Sequence, residues 1–418
     1  MNGVVENRPM FTALDGRKPT EVFGEIPTPC YVIEEKKLQE NGRILAEVSE
    51  RTGCKILLAQ KAFSNYDCYP LLAQYLAGTE ASGLYEARMG AEEMPGKEVH
   101  VFCGAYREEE FQELLRYADH IMFNSPRQLE KFGPLAKQAG KSIGLRINPQ
   151  CSTQEGHAIY DPCAPGSRLG TTRAMWDALM TEELVALLDG LHFHTLCEQD
   201  AEDLETTLQA VEEKFGDVLP AMKWLNMGGG HHITRPGYDV ERLEKCIRYA
   251  QEKWQLEVYL EPGEAVALNA GYLATRVLDV VQNEDTRIAI LDASAACHMP
   301  DVIEMPYTPP LYGADVVEET VHTYETVATT DAACHYRLAG PTCLAGDVIG
   351  DYDFQEELQE GDLLLFGDMA IYTTCKNNTF NGMPLPDIWK RTVEGDLARL
   401  TDFGYNEFRS RLGRCNDV

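Results

Sequence analysis

The 418 residues carry a formal net charge of −30 and 44% hydrophobic side chains, enough apolar material for a large core in two or three domains. So acidic a chain argues against nucleic acid or an anionic membrane as a partner, since both select basic surfaces, and it suits a polycationic ligand. No stretch approaches the roughly 18 consecutive apolar residues of a membrane helix. Met1 to Arg8 lacks a basic segment leading into an apolar run, and the 13 cysteines form no Cys-x-x-Cys pair, so a cytoplasmic location is expected.

Residues 1 to 25 are polar and broken by Gly and Pro, which predicts an arm. Ile26-Pro-Thr-Pro-Cys-Tyr-Val-Ile33 reads as proline-stiffened extended chain ending in a strand, and Glu34 to Arg51 has the period of an amphipathic helix. Short apolar runs then recur at Lys55 to Ala59, His100 to Phe102, His120 to Phe123, Ser142 to Ile147, Gly190 to His194, Trp224 to Met227 and Glu257 to Leu260, with room for a helix between them. About seven or eight βα units in succession predict an α/β chain with a (β/α)8 TIM-like barrel over roughly 34 to 275, in preference to a doubly wound sheet. After Tyr272 the texture changes to alternating, β-branched segments: Ala274 to Val281, Arg287 to Leu291, Val316 to Thr329, Tyr336 to Ala339 and Asp362 to Phe366. They predict a mostly antiparallel β domain over roughly 276 to 418, joined by the early strand of an N-terminal segment over roughly 1 to 33.

Within this frame a few residues carry chemistry. Lys61 ends the strand-like run that begins at Lys55. A lysine at the mouth of a barrel loses hydration, which leaves neutral amine able to attack a carbonyl and form a Schiff base. Gly228-Gly-Gly230 follows a predicted strand, where bare backbone N–H groups can close around a phosphate. Glu261, in Leu260-Glu-Pro-Gly-Glu264, can keep a pyridine nitrogen protonated. His192 and His194 fall on one face of a strand, the spacing with which metal-dependent barrel hydrolases also begin their metal site. Cys343, in Gly340-Pro-Thr-Cys-Leu-Ala-Gly-Asp347, can donate a proton to a carbanion, and Asp301 and Glu304 can receive ammonium groups.

Taken together these motifs resemble the fold-type III pyridoxal phosphate decarboxylases, the family of ornithine and diaminopimelate decarboxylases. The resemblance runs over about residues 26 to 385: Lys61, Ala81-Ser with Glu86, Leu145-Arg-Ile147, His194, Gly228-Gly-Gly230, Glu261-Pro-Gly263, Gly340-Pro-Thr-Cys343, Asp347, and Tyr372 before Phe380-Asn-Gly382. It implies pyridoxal 5'-phosphate as cofactor, with Lys61 as its covalent anchor, His194 stacked on its ring, Glu261 on the ring nitrogen and Arg146 near the ring hydroxyl. The phosphate would rest on Gly228, Gly229, Gly230, Gly263 and Tyr372. Cys343 would reach the active site of a partner subunit, which implies a homodimer with shared sites, and Asp347 would lie near substrate with Asp301 and Glu304. No metal is implied.

The departures narrow the choice. Glu264 replaces the arginine of Glu-Pro-Gly-Arg, Leu344 replaces a frequently acidic residue after the cysteine, and the arginine pattern for a distal carboxylate is missing. Leu196-Cys-Glu198, Gly-Gly-Gly-His-His232 and Asp301-Val-Ile-Glu-Met-Pro306 resemble the carboxynorspermidine (carboxyspermidine) decarboxylase subgroup. The implied substrate is a carboxypolyamine and the product spermidine or norspermidine. The competing readings are a related decarboxylase of ornithine, arginine or diaminopimelate, a metal-dependent barrel hydrolase built on His192 and His194, and a catalytically silent regulator of polyamine enzymes.

Overall fold

The computed structural model describes residues 8–154, 158–317, 327–328 and 330–413. Their strands in chain order are β1 Cys30–Glu34, β2 Lys55–Ala59, β3 Gly78–Ala81, β4 Glu98–Phe102, β5 His120–Phe123, β6 Ser142–Asn148, β7 Thr171–Thr172, β8 Gly190–His192, β9 Trp224–Asn226 and β10 Glu257–Leu260. There follow β11 Gly271–Asn283, β12 Thr286–Leu291, β13 Ala314–Val316, β14 His335–Ala339, β15 Val348–Phe354, β16 Leu363–Gly367, β17 Asp387–Arg391 and β18 Leu397–Thr401. The chain divides into two compact units, Gln39–Val266 and Met1–Leu38 with Ala267–Val418.

The first unit is the barrel. Its strands run β5-β4-β3-β2-β10-β9-β8-β6, and a β5–β6 pairing closes the circle, with β7 added outside on β6. Every pairing in the circle is parallel. Parallel closure requires a crossover between neighbours, and amphipathic helices such as Ala201–Phe215 and Val240–Trp254 supply it. They bury Leu204, Leu208, Val211 and Phe215 in one case, and Leu243, Cys246, Ile247 and Ala250 in the other, at the three- and four-residue spacing of a single helix face. The strand the sequence hides is β3: Gly-Thr-Glu-Ala has no apolar run, yet all four residues are buried. Inside the barrel, Leu57, Met122, Trp224 and Tyr259 pack together. The Trp224 indole fits because Gly190 faces it, where a Cβ would lie 2.0 Å from the ring.

The second unit is built on a sheet of order β13-β15-β14-β12-β11-β1-β17-β18, with β16 also paired to β11. It is antiparallel apart from β1 with β17 and β12 with β14. Both faces are covered, as the alternation along β1 shows: Tyr31 packs with Leu273, Leu338, Tyr352 and Phe366, while Cys30 and Val32 pack with Phe11, Phe23 and Tyr272. Residues 10 to 26 are therefore more than an arm, since Met10, Phe11, Leu14, Phe23 and Ile26 are buried there. Of the expected strand Val316 to Thr329 only Val316 lies in β13, and residues 318–326 and 329 fall outside the described ones. Strands β15, β17 and β18 have no counterpart in the sequence reading.

Candidate active site

Parallel strands place all their C-terminal ends on one rim, which carries Lys61 after β2, Arg146 in β6, His194 after β8, Gly228 to Gly230 after β9 and Glu261 after β10. Glu261 is buried. Its Oε2 accepts from His192 Nε2 at 3.1 Å and its Oε1 from Asn226 Nδ2 at 2.5 Å. Burial alone would push this carboxyl up, but His192 and Asn226 hold it below the usual carboxylate range. Burial also keeps the His192 pKa low, and a neutral imidazole still donates its Nε2–H, so the carboxylate stays ionised. The Nε2 of His192 is thus committed to Glu261.

His194 accepts the Gly229 N–H on Nδ1 at 2.9 Å, and burial pushes its pKa well below the usual value. It is a neutral ring carrying its proton on Nε2. Arg146 donates to the His194 carbonyl at 3.2 Å and lies over the Phe102 ring at 4.5 Å. Burial lowers its pKa to about 10, which leaves it charged at neutral pH. Gly228 and Gly230 have φ of 70° and 82°, where a Cβ would stand 2.5 Å from the Phe193 carbonyl oxygen and 2.2 Å from that of Leu196. The expected cradle of three N–H groups is smaller in fact: Gly228 N–H goes to Asn226 Oδ1 and Gly229 N–H to His194. Of the three, Gly230 N–H has no protein acceptor among the described residues. Gly263 packs against Ala62, and Glu264, where the family carries arginine, faces His232 Nε2 at 3.3 Å.

Glu80, on the unexpected strand β3, is a residue that sequence reasoning missed. It is buried, and its pKa is pushed up to about 8 by that burial and then by the Glu261 charge, against the pull of Lys61. A carboxyl whose folded pKa exceeds its ordinary 4.5 favours the fold most when protonated, so stability falls as pH rises from about 4.5 to 8. Glu80→Gln is expected to flatten the melting temperature over that window; an unchanged pH profile would show that Glu80 is ionised in the fold. Asn226 was also missed, although a lone amide within Trp-Leu-Asn-Met is a visible signal of a buried hydrogen bond.

The second unit holds the remaining predicted residues. Cys343 is exposed on a turn, its N–H donating to Asn381 Oδ1 at 2.7 Å. Asp347, expected near substrate, is instead buried beneath that turn. It accepts from Thr342 Oγ1 at 2.7 Å and Ser294 Oγ at 2.9 Å, so its carboxylate is used in shaping the loop that presents the thiol. Asp301 and Glu304 share one helical turn, and both are paired with the ammonium of Lys376. An internal ammonium that the sequence did not reveal therefore already engages the two acids expected to hold amines. Tyr372 lies at φ 49°, a left-handed conformation uncommon for a bulky residue.

The donor set fits pyridoxal phosphate. A buried ionised carboxylate, a neutral imidazole, a buried guanidinium, a primary amine and a glycine turn with an available N–H are complementary to its ring nitrogen, ring face, hydroxyl, carbonyl and phosphate.

Comparison with known proteins agrees. Residues 30–370 match the family model described as pyridoxal-dependent decarboxylase, C-terminal sheet domain. The chain is 41% identical over 392 residues to a carboxynorspermidine/carboxyspermidine decarboxylase of Campylobacter jejuni, covering 93% of this chain and 99% of that one. It is also 41% identical over 392 residues to a carboxyaminopropylagmatine decarboxylase of Synechocystis, covering 94% and 97%. A crystal structure of carboxynorspermidine decarboxylase from Campylobacter jejuni complexed with norspermidine superposes with a TM-score of 0.83 at 40% identity, over 92% of this chain and all of that one. A closed parallel barrel with this buried carboxylate, and near-full-length matches to such enzymes, place the chain in the pyridoxal-dependent decarboxylase family.

Proposed function

We propose that this chain is a pyridoxal phosphate-dependent carboxy-lyase that decarboxylates carboxyspermidine and carboxynorspermidine to spermidine and norspermidine, a step of polyamine biosynthesis. The observation that carries the reading is the near-full-length 41% identity to the Campylobacter jejuni enzyme, on a chain that keeps Lys61, Glu261 and Cys343. When bound, pyridoxal phosphate supplies an acceptor for the electron pair left on Cα as carbon dioxide departs.

The chain's own residues do the rest. Lys61 would hold the cofactor through its amine, His194 would lie against the ring, and Glu261 would keep the ring nitrogen protonated. Arg146 would meet the ring hydroxyl, and Gly230 with Tyr372 would receive the phosphate. Cys343 would return a proton to Cα from a partner subunit, its exposed thiol reloading from solvent, which makes the homodimer part of the proposal. Cys343→Ala is expected to keep cofactor binding and lower turnover by about 10² to 10⁴, the range for loss of a general acid; unchanged rates and products would remove the thiol from the reaction. A cytoplasmic setting goes with this reading, since none of the 12 described cysteines is joined in a disulfide.

Asp301 and Glu304 are the proposed seats for the distal ammonium groups. Lys376 supports this, because it shows that the two carboxylates can hold an ammonium together. Glu304→Gln is expected to raise KM for the carboxypolyamine with little change in kcat, as a lost uniform binding contact does; an unaltered KM would place the amine pocket elsewhere.

The Synechocystis relative favours a second reading, carboxyaminopropylagmatine, at the same 41% identity. One experiment separates the candidates: carbon dioxide release from carboxyspermidine, carboxynorspermidine, carboxyaminopropylagmatine, ornithine, arginine and diaminopimelate. The first two are expected to react within about tenfold of one another, since one methylene is worth about 1 kcal/mol. Turnover confined to carboxyaminopropylagmatine would install the second reading, and turnover of ornithine, arginine or diaminopimelate alone would overturn both.

A further inference from the structure

The N-terminal ends of the barrel strands, the rim away from Lys61, hold a separate group of chemistry-bearing side chains. Glu98 and His100 are two residues apart on β4 and so face the same way, and His120 opens β5 opposite His100 in the parallel register. The two imidazoles stack, with centroids 4.0 Å apart and planes 9° apart. His100 is fully buried, and its Nε2 lies 3.0 Å from Glu98 Oε2, close enough for one ion that displaces the shared proton to hold both atoms.

The surroundings point to a cation. Glu98 Oε1 accepts from Lys55 Nζ at 2.6 Å, and Lys55 also pairs with Glu257 at 2.9 Å. One ammonium thus serves two carboxylates, and the cluster keeps an excess of negative charge. Lys55 further fixes Glu98 with Oε2 turned to the imidazole, the kind of outer hydrogen bond that orients metal ligands. One ligand atom from each of Glu98, His100 and His120 lies within 4.8 Å of the others, while tetrahedral ligands on bonds of about 2.1 Å stand roughly 3.4 Å apart. Contraction by this amount requires the parallel rings to splay. His120 is the half-buried member of the stack and has room to turn.

We propose that the barrel floor binds one borderline divalent metal ion, with zinc the best match, through His100, His120 and Glu98. Two imidazoles and a carboxylate suit zinc better than magnesium or calcium, which prefer oxygen-only sites. The ion is structural: it clasps β4 to β5 at the end of the barrel opposite the reacting groups.

The test uses the full-length, cofactor-loaded protein, stripped with a chelator and titrated with zinc by calorimetry and with cobalt by absorption. Cobalt is chosen because the cysteines would betray themselves by an intense thiolate band. The wild type is expected to take up one equivalent per chain with weak visible bands and no thiolate band, to melt at a higher temperature with zinc, and to show Trp224 fluorescence changes, its ring being 5.4 Å from His120. His120→Gln is expected to lose that equivalent and the thermal shift while keeping the cofactor absorbance and turnover. Should His120→Gln fold poorly, Glu98→Gln removes a carboxylate ligand and is expected to weaken binding by more than the roughly 10- to 100-fold that loss of an outer partner costs. A wild-type protein that binds no cobalt outside its thiols, or variants that bind as the wild type does, would overturn the proposal. The readout is metal binding, so it stands apart from the choice of substrate.

Discussion

Lys61→Ala is expected to abolish the absorbance of the cofactor joined to a lysine amine and to lower turnover by about 10⁴-fold, or roughly 5.5 kcal/mol of barrier. The reason lies in position. Lys61 follows β2 on the rim that also carries Arg146, His194 and Glu261, and its charge acts on both His194 and Glu80. Lys55, at the opposite end of β2, is paired instead with Glu98 and Glu257. The spectrum is recorded after reconstitution with pyridoxal phosphate, beside the wild type. An unchanged absorbance in the variant would mean that another amine anchors the cofactor and that the rim has been misread.

The second large effect is expected at Glu261. Glu261→Gln removes a buried negative charge but keeps the shape, so a ring nitrogen bound there would no longer be held protonated, and turnover is expected to fall by about 10² to 10³, as when a preorganised charge partner is lost. Stability is expected to fall too, by about 1 to 3 kcal/mol. The Gln amide cannot accept from both His192 and Asn226, so one buried donor is left without its acceptor. A fold-stability measurement at neutral pH separates the two effects, and Glu261→Asp is expected to restore part of the turnover by returning the charge. Turnover of Glu261→Gln within about threefold of the wild type would show that ring protonation does not depend on this carboxylate.

Legibility in the sequence followed burial pattern. Strands buried in a parallel barrel read as short apolar runs, so β2, β4, β5, β6, β8, β9 and β10 announce themselves, and the barrel follows from their spacing. Strand β3 does not, because a glycine, a threonine and a glutamate are buried there for what they touch rather than for being apolar. Glu80, the carboxyl placed to feel both Lys61 and Glu261, went unseen for that reason.

The covalent arrangement of chemical types was thus available from the chain alone: a lysine after one strand, three glycines after another, a carboxylate fixed by proline after a third, and a thiol in a glycine-rich turn of the β region. These are local facts, set by backbone constraints and side-chain chemistry at single positions. Pairings between distant positions were decided only by tertiary structure. His192 and Asn226 converge on Glu261 from two other strands, Lys376 reaches Asp301 and Glu304 across more than seventy residues, and Asp347 turns inward to Ser294. Each is a hydrogen bond or ion pair whose partners have no fixed separation in sequence, and those on the buried Glu261 and Asp347 gain strength from the water excluded when the chain closes around them.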